Sequence, residues 1–200
     1  MPVARDSARI LGTQVASAAF GAGYFLLLTR WFSPNDMAGL AVFGLVTGLA
    51  QIASNLGLGD TCIKKVPELR ASGKGAEARG LMRTALAARV IASVAAAAVV
   101  WLAAEPLARL FFKMDGFAGL LRVAAAGALA ASVLEAQQHL LWSLQRFDVF
   151  SRVMLVTNIP VRLVALAGFA WGGIHGYLMG VGAGQIALSA WLARVLGPEM

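Results

Sequence analysis

The feature that most restricts this chain is a succession of apolar runs of about twenty residues, separated by polar interruptions. A helix needs about that length to cross a hydrocarbon core roughly 30 Å thick. Six such runs are read, at about 8–28, 37–56, 84–104, 120–143, 153–171 and 176–196. Backbone groups in lipid must be satisfied within the spanning structure, which leaves helices or a closed barrel. The alternating segments of about ten residues that mark a barrel strand are absent. Only 14% of the residues are charged, against about a quarter in soluble domains. The predicted fold class is therefore all-α: a polytopic membrane protein of six transmembrane helices, with no soluble domain.

Orientation comes from the longest polar stretch, Gly57 to Arg83, read as a basic loop at 57–83. It carries Lys64, Lys65, Arg70, Lys74, Arg79 and Arg83 against Asp60, Glu68 and Glu77. Short loops rich in Lys and Arg stay on the cytoplasmic side. That choice places both termini inside and puts eleven cations there: the six just named with Arg5, Arg9, Arg146, Arg152 and Arg194. Four fall outside, Arg30, Arg109, Lys113 and Arg122, while Arg89 and Arg162 lie within spans. The net charge of +7 thus sits at span ends rather than along one helical face, which argues against a nucleic-acid partner. The basic start and Ala16-Ser17-Ala18 resemble a cleavable leader. However, the small-residue triplet lies inside the apolar run and further spans follow, so an uncleaved first span is expected. The single cysteine, Cys62, excludes an intrachain disulfide.

Breakers mark the boundaries. Pro34 stops the first span, with Trp31 suited to the interface. Gly57 and Gly59 follow the second span, and Pro67 is expected to open a short helix within the loop. Glu105-Pro106 ends the third, and 107–119 reads as an outer interfacial segment. Residues 145–148 form an inner turn, and Gly172-Gly173-Ile174-His175 turns the fifth span back. Arg89 is placed one or two turns from the inner end, where its side chain can snorkel to the interface.

Several of these residues together resemble the polysaccharide flippases, the lipid-linked oligosaccharide (O-antigen) exporters of the multidrug/oligosaccharidyl-lipid/polysaccharide superfamily. They are Leu28-Thr29-Arg30-Trp31-Phe32-Ser33-Pro34, the glycine-containing second span from Gly39 to Ala50, Leu56-Gly57-Leu58-Gly59 before the basic loop, and Leu144-Gln145-Arg146-Phe147 between the fourth and fifth spans. The resemblance covers almost the whole chain. It implies two six-helix lobes around a central cavity, of which this chain is the N-terminal lobe and lacks the C-terminal one. It implies a cytoplasmic (inner) membrane location and a diphosphate lipid-linked oligosaccharide as cargo.

Polar residues inside spans are costly and therefore informative. Arg162 is the sharpest, about 15 Å from the inner end of its span at 1.5 Å per residue. Pro160 should kink the helix just before it, and Asn158 lies four residues away on the same face. A guanidinium matches phosphate with a planar fork, so Arg162 is a candidate substrate contact; structural pairing with Glu135 is the alternative. Glu135, Gln138 and His139 share a face of the fourth span. They read as a coupling site, a sugar-binding edge or a hydrogen-bonded patch between helices. Thr47, Gln51 and Asn55 form a stripe on the second span, and Gln14, Ser17, Gly21 and Tyr24 a looser one on the first. The cavity candidates are thus Arg162, Asn158, Gln51, Asn55 and Gln14, and the coupling candidates Glu135 and His139. Gly176, Gly180 and Gly184 read as close helix packing. A metal site is not expected, because one Glu and one His supply two ligands. No cofactor or catalytic motif is found, and the expected protein is no enzyme. Its expected partners are the lipid-linked glycan and membrane lipids. The rival readings are a cation-coupled small-molecule exporter and a membrane assembly factor.

Overall fold

The computed structural model describes residues 2–55, 57–112 and 117–200, with backbone alone for 2–10 and 111–112. The order is α1 (Pro2–Trp31), α2 (Pro34–Asn55), α3 (Leu58–Ala71), α4 (Gly75–Leu102) and α5 (Ala104–Leu107). A π-helical turn (Ala108–Phe112) leads to α6 (Phe117–Ser143), α7 (Phe147–Asn158) and α8 (Pro160–Leu196). No strand occurs among the described residues.

Five stretches are long and apolar enough to cross a membrane, the last running from Phe147 to Glu199. That stretch is no single rod. It bends where α7 meets Pro160, then folds back at Gly172 and Gly173. Gly173 has φ 57° and ψ −145°, a conformation open essentially to glycine alone. A Cβ at Gly168 would strike the carbonyl of Gly176, and the reverse also holds. A Cβ on Gly180 would lie 2.9 Å from Ala165 Cα, and one on Gly184 2.8 Å from Val161 Cγ1. The two arms, 160–171 and 174–196, therefore pack as an antiparallel hairpin, backbone on backbone near the turn. This is the close packing expected of those glycines. Among the described residues the last of the five apolar stretches is thus a helical hairpin.

The first break is built as the sequence suggests. The Ser33 backbone N–H donates to Asp36 Oδ2 at 3.0 Å and the Asp36 N–H to Ser33 Oγ at 3.2 Å, a reciprocal cap ahead of α2. Gly57, at φ 68°, turns the chain into α3. The basic stretch is then helical rather than a loop. Pro67 sits inside α3 instead of opening it, and α4 begins at Gly75, earlier than the expected start near 84. α3 tucks Gly59, Cys62 and Val66 inward and leaves Lys64, Lys65 and Arg70 exposed. Arg70 and Arg146 both reach Glu199, at 2.9 and 3.9 Å, so α3, the α6–α7 turn and the end of α8 share one basic end. Lys113, counted among the outer cations, lies outside the described residues, as do the side chains of Arg5 and Arg9.

α6 is the axle. In its most apolar window 61% of residues are buried, against at most 28% in any other span. Ala124, Ala125, Gly127, Ala128 and Ala131 line it, and small residues let neighbouring helices come close where lipid offers no hydrophobic drive. Phe43 of α2 fills the space over Gly127, 2.7 Å from where a Cβ would stand.

Candidate functional site

Arg89 of α4 is turned inward at the level where α2 ends. Only 2% of it is exposed. Its Nη2 donates to Glu135 Oε2 of α6 at 2.5 Å, and its Nη1 to Asn55 Oδ1 at 2.6 Å. This corrects the expectation that Arg89 snorkels out, and the reason is electrostatic. A guanidinium with a carboxylate and an amide within reach satisfies its donors inside the bundle. One turn along α6, His139 packs against Gly59 of α3 so closely that a Cβ there would overlap the imidazole. His139 Nδ1 and Arg89 Nε both lack a protein partner. Both residues line one small cavity of about 10 Å³ with Cys62 and Ala136, about the room one water requires. Four helices, α2, α3, α4 and α6, thus meet at one polar node.

The second cluster lies nearer mid-bundle. Arg162 is two residues past Pro160, about 15 Å along the helix from the Gly172 turn. Its Cζ stands 5.2 Å from the centre of the Tyr24 ring, within cation–π range, and its Nη1 lies against Gly21 of α1. The Tyr24 hydroxyl is 3.1 Å from both the Arg162 carbonyl oxygen and the Tyr177 hydroxyl. Phe32 stacks on Phe169 with centroids 4.1 Å apart. Arg162 is half-buried, and no acid reaches it among the described residues. Its suggested structural partner, Glu135, is held by Arg89 instead.

The remaining candidates scatter. Asn158 does not reach Arg162; its side-chain amide donates to the Met154 carbonyl of its own helix at 2.9 Å, and the Pro160 bend separates the two. Asn55 belongs to the Arg89 node. Gln51 is half-buried near it, and Gln14 is exposed on α1, whose buried polar residues are Thr13 and Ser17. Glu135 and His139 come together at the node, whereas Thr47 bonds back to the Phe43 carbonyl. The sequence reading missed a clasp between α6 and α8: Gln137 Nε2 donates to the Ser189 carbonyl at 3.0 Å, and Ser189 Oγ to Gln137 Oε1 at 2.7 Å. A polar pair facing each other from two apolar helices was its available signal. No group of three metal-ligating side chains occurs among the described residues.

Apolar helices around a small-residue axle, with one acid-paired and one acid-free guanidinium held inside, define a multi-pass all-α membrane protein. The family model described as polysaccharide biosynthesis protein matches residues 27–178. The chain belongs to that family, and its role lies in polysaccharide biosynthesis or export. No curated protein and no solved structure matches it.

Proposed function

We propose that this chain is one lobe of a flippase that carries lipid-linked oligosaccharide precursors across the cytoplasmic membrane by alternating access. In this reading a second lobe completes the cavity, and the basic end with both termini faces the cytoplasm. The protein acts as a transporter rather than an enzyme. The observation that carries the proposal is Arg162: a guanidinium near mid-bundle, propped on Tyr24, with no acid partner among the described residues. A lone arginine at that depth suits a diphosphate, whose oxygens accept a bidentate fork. The rival cation-coupled exporter needs a free acid in the spans. Among the described residues the deep acid is Glu135, and Arg89 already holds it.

The test uses cells whose polysaccharide export depends on this protein. Arg162→Ala, inserted at the parental level, is expected to stop export and leave the precursor on the inner leaflet. Arg162→Lys is expected to restore part of it, keeping charge but losing the fork. Normal export by Arg162→Ala would sink the proposal.

A further inference from the structure

The bend at Pro160 leaves a trough between α7 and the second arm of α8 that the transport reading does not use. Near the turn the arms of α8 touch through glycines, but toward the basic end they part around a cavity of about 470 Å³. Val156, Pro160, Val164 and Ala187 give it apolar walls, with Trp191 and Arg152 at its basic end. Arg152 is exposed and has no ion-pair partner among the described residues.

Depth can be read from neighbouring contacts. Gln137 bonds to Ser189, and His139 packs on Gly59, so Trp191 stands at about the level where α2 gives way to α3. That is an interfacial depth, and a half-exposed Trp suits it. From Arg152 to Val164 is twelve residues, about 18 Å of helix. Half of a hydrocarbon core is about 15 Å. The trough is therefore one leaflet long, apolar throughout, and headed by a cation.

We infer that it holds one chain of an anionic glycerophospholipid of the leaflet at the basic end, with the phosphate on the Arg152 guanidinium. The chain fills the gap that the Pro160 bend opens, and the charge selects the headgroup. The site goes beyond the transport reading and stands whether or not the protein carries a glycan.

The experiment is native mass spectrometry of the full chain released from micelles holding equal amounts of phosphatidylglycerol and phosphatidylcholine. The parent is expected to keep one phosphatidylglycerol in preference to phosphatidylcholine. Arg152→Gln is expected to lower that preference about tenfold, the scale of one charge-assisted hydrogen bond. Ala187→Trp points into the trough from an exposed position and is expected to remove the retained lipid of either kind. Both positions are exposed, so fold integrity is checked by an unchanged melting temperature. No lipid preference in the parent, or unchanged retention in either variant, overturns the inference.

Discussion

Replacing Glu135 with Ala should unfold this bundle more readily than any surface change, and the node shows why. Arg89 would keep its burial and its bond to Asn55 but lose its carboxylate. Neutral hydrogen bonds between membrane helices are worth only about 0.6 kcal/mol on average. A buried charge stripped of its partner costs about 3–5 kcal/mol. The Glu135 side chain is itself 32% exposed, which favours the lower end, near 3 kcal/mol. At about 2–4 °C per kcal/mol for a chain of this size, the melting temperature should fall roughly 6–12 °C. The double change Arg89→Met with Glu135→Leu should recover more than half of that loss, because it removes both charges and keeps the volume. Tryptophan-fluorescence melting of the purified chain in detergent reads the parent and both variants. If Glu135→Ala melts within about 0.5 kcal/mol of the parent, or the double variant melts lower than the single one, the ion pair does not hold the node.

Three further outcomes follow from the same structure. Gly176→Val should lower the melting temperature by an amount worth about 1–3 kcal/mol, since its side chain meets the Gly168 backbone. Gly48→Ala, with nothing within 4 Å of the new methyl, should leave the melting temperature unchanged, and equal effects would refute the hairpin contact. Cys62 is 1% exposed, and burial pushes its thiol above the ordinary value, which leaves it protonated at neutral pH. Maleimide should therefore label it at least tenfold more slowly in the folded protein than in denaturant; equal rates would refute the packing of α3. In a Cys62→Ser background, a cysteine at Lys74 should resist an impermeant reagent added outside intact cells, and labelling would invert the proposed orientation.

The spans were legible because membrane thickness imposes a length, and Gly172-Gly173 and Pro34 marked their breaks. The rotation of each helix was not. α4 is alanine-rich on all sides, so nothing in its pattern said that Arg89 pointed inward rather than toward the interface. The Arg89–Glu135 pair is a contact between helices 46 residues apart, and one sequence offers no sign of it. α3 was hidden by its charges, although Leu58, Cys62, Val66 and Leu69 already carried a helical spacing. α6 as the axle could have been anticipated, since a helix that is small and apolar all round is one with neighbours all round. The depth of Arg162 was legible because it depends only on counting residues from the ends of its span. Its footing on Tyr24 depends on how α1 lies against the first arm of α8, which counting cannot supply.

The Arg89 node also has an order in time. A ribosome makes α4 well before α6: Arg89 precedes Glu135 by 46 residues. At roughly 5–20 residues per second, the guanidinium waits some 2–9 seconds for its acid. Asn55, by contrast, is made 34 residues before Arg89. The amide is there to receive the arginine when it arrives, and the carboxylate joins a pair already formed. Removal of Asn55 should therefore show as poor yield of newly made protein as well as a lower melting temperature in the finished one, because Arg89 Nη1 loses its partner at both stages.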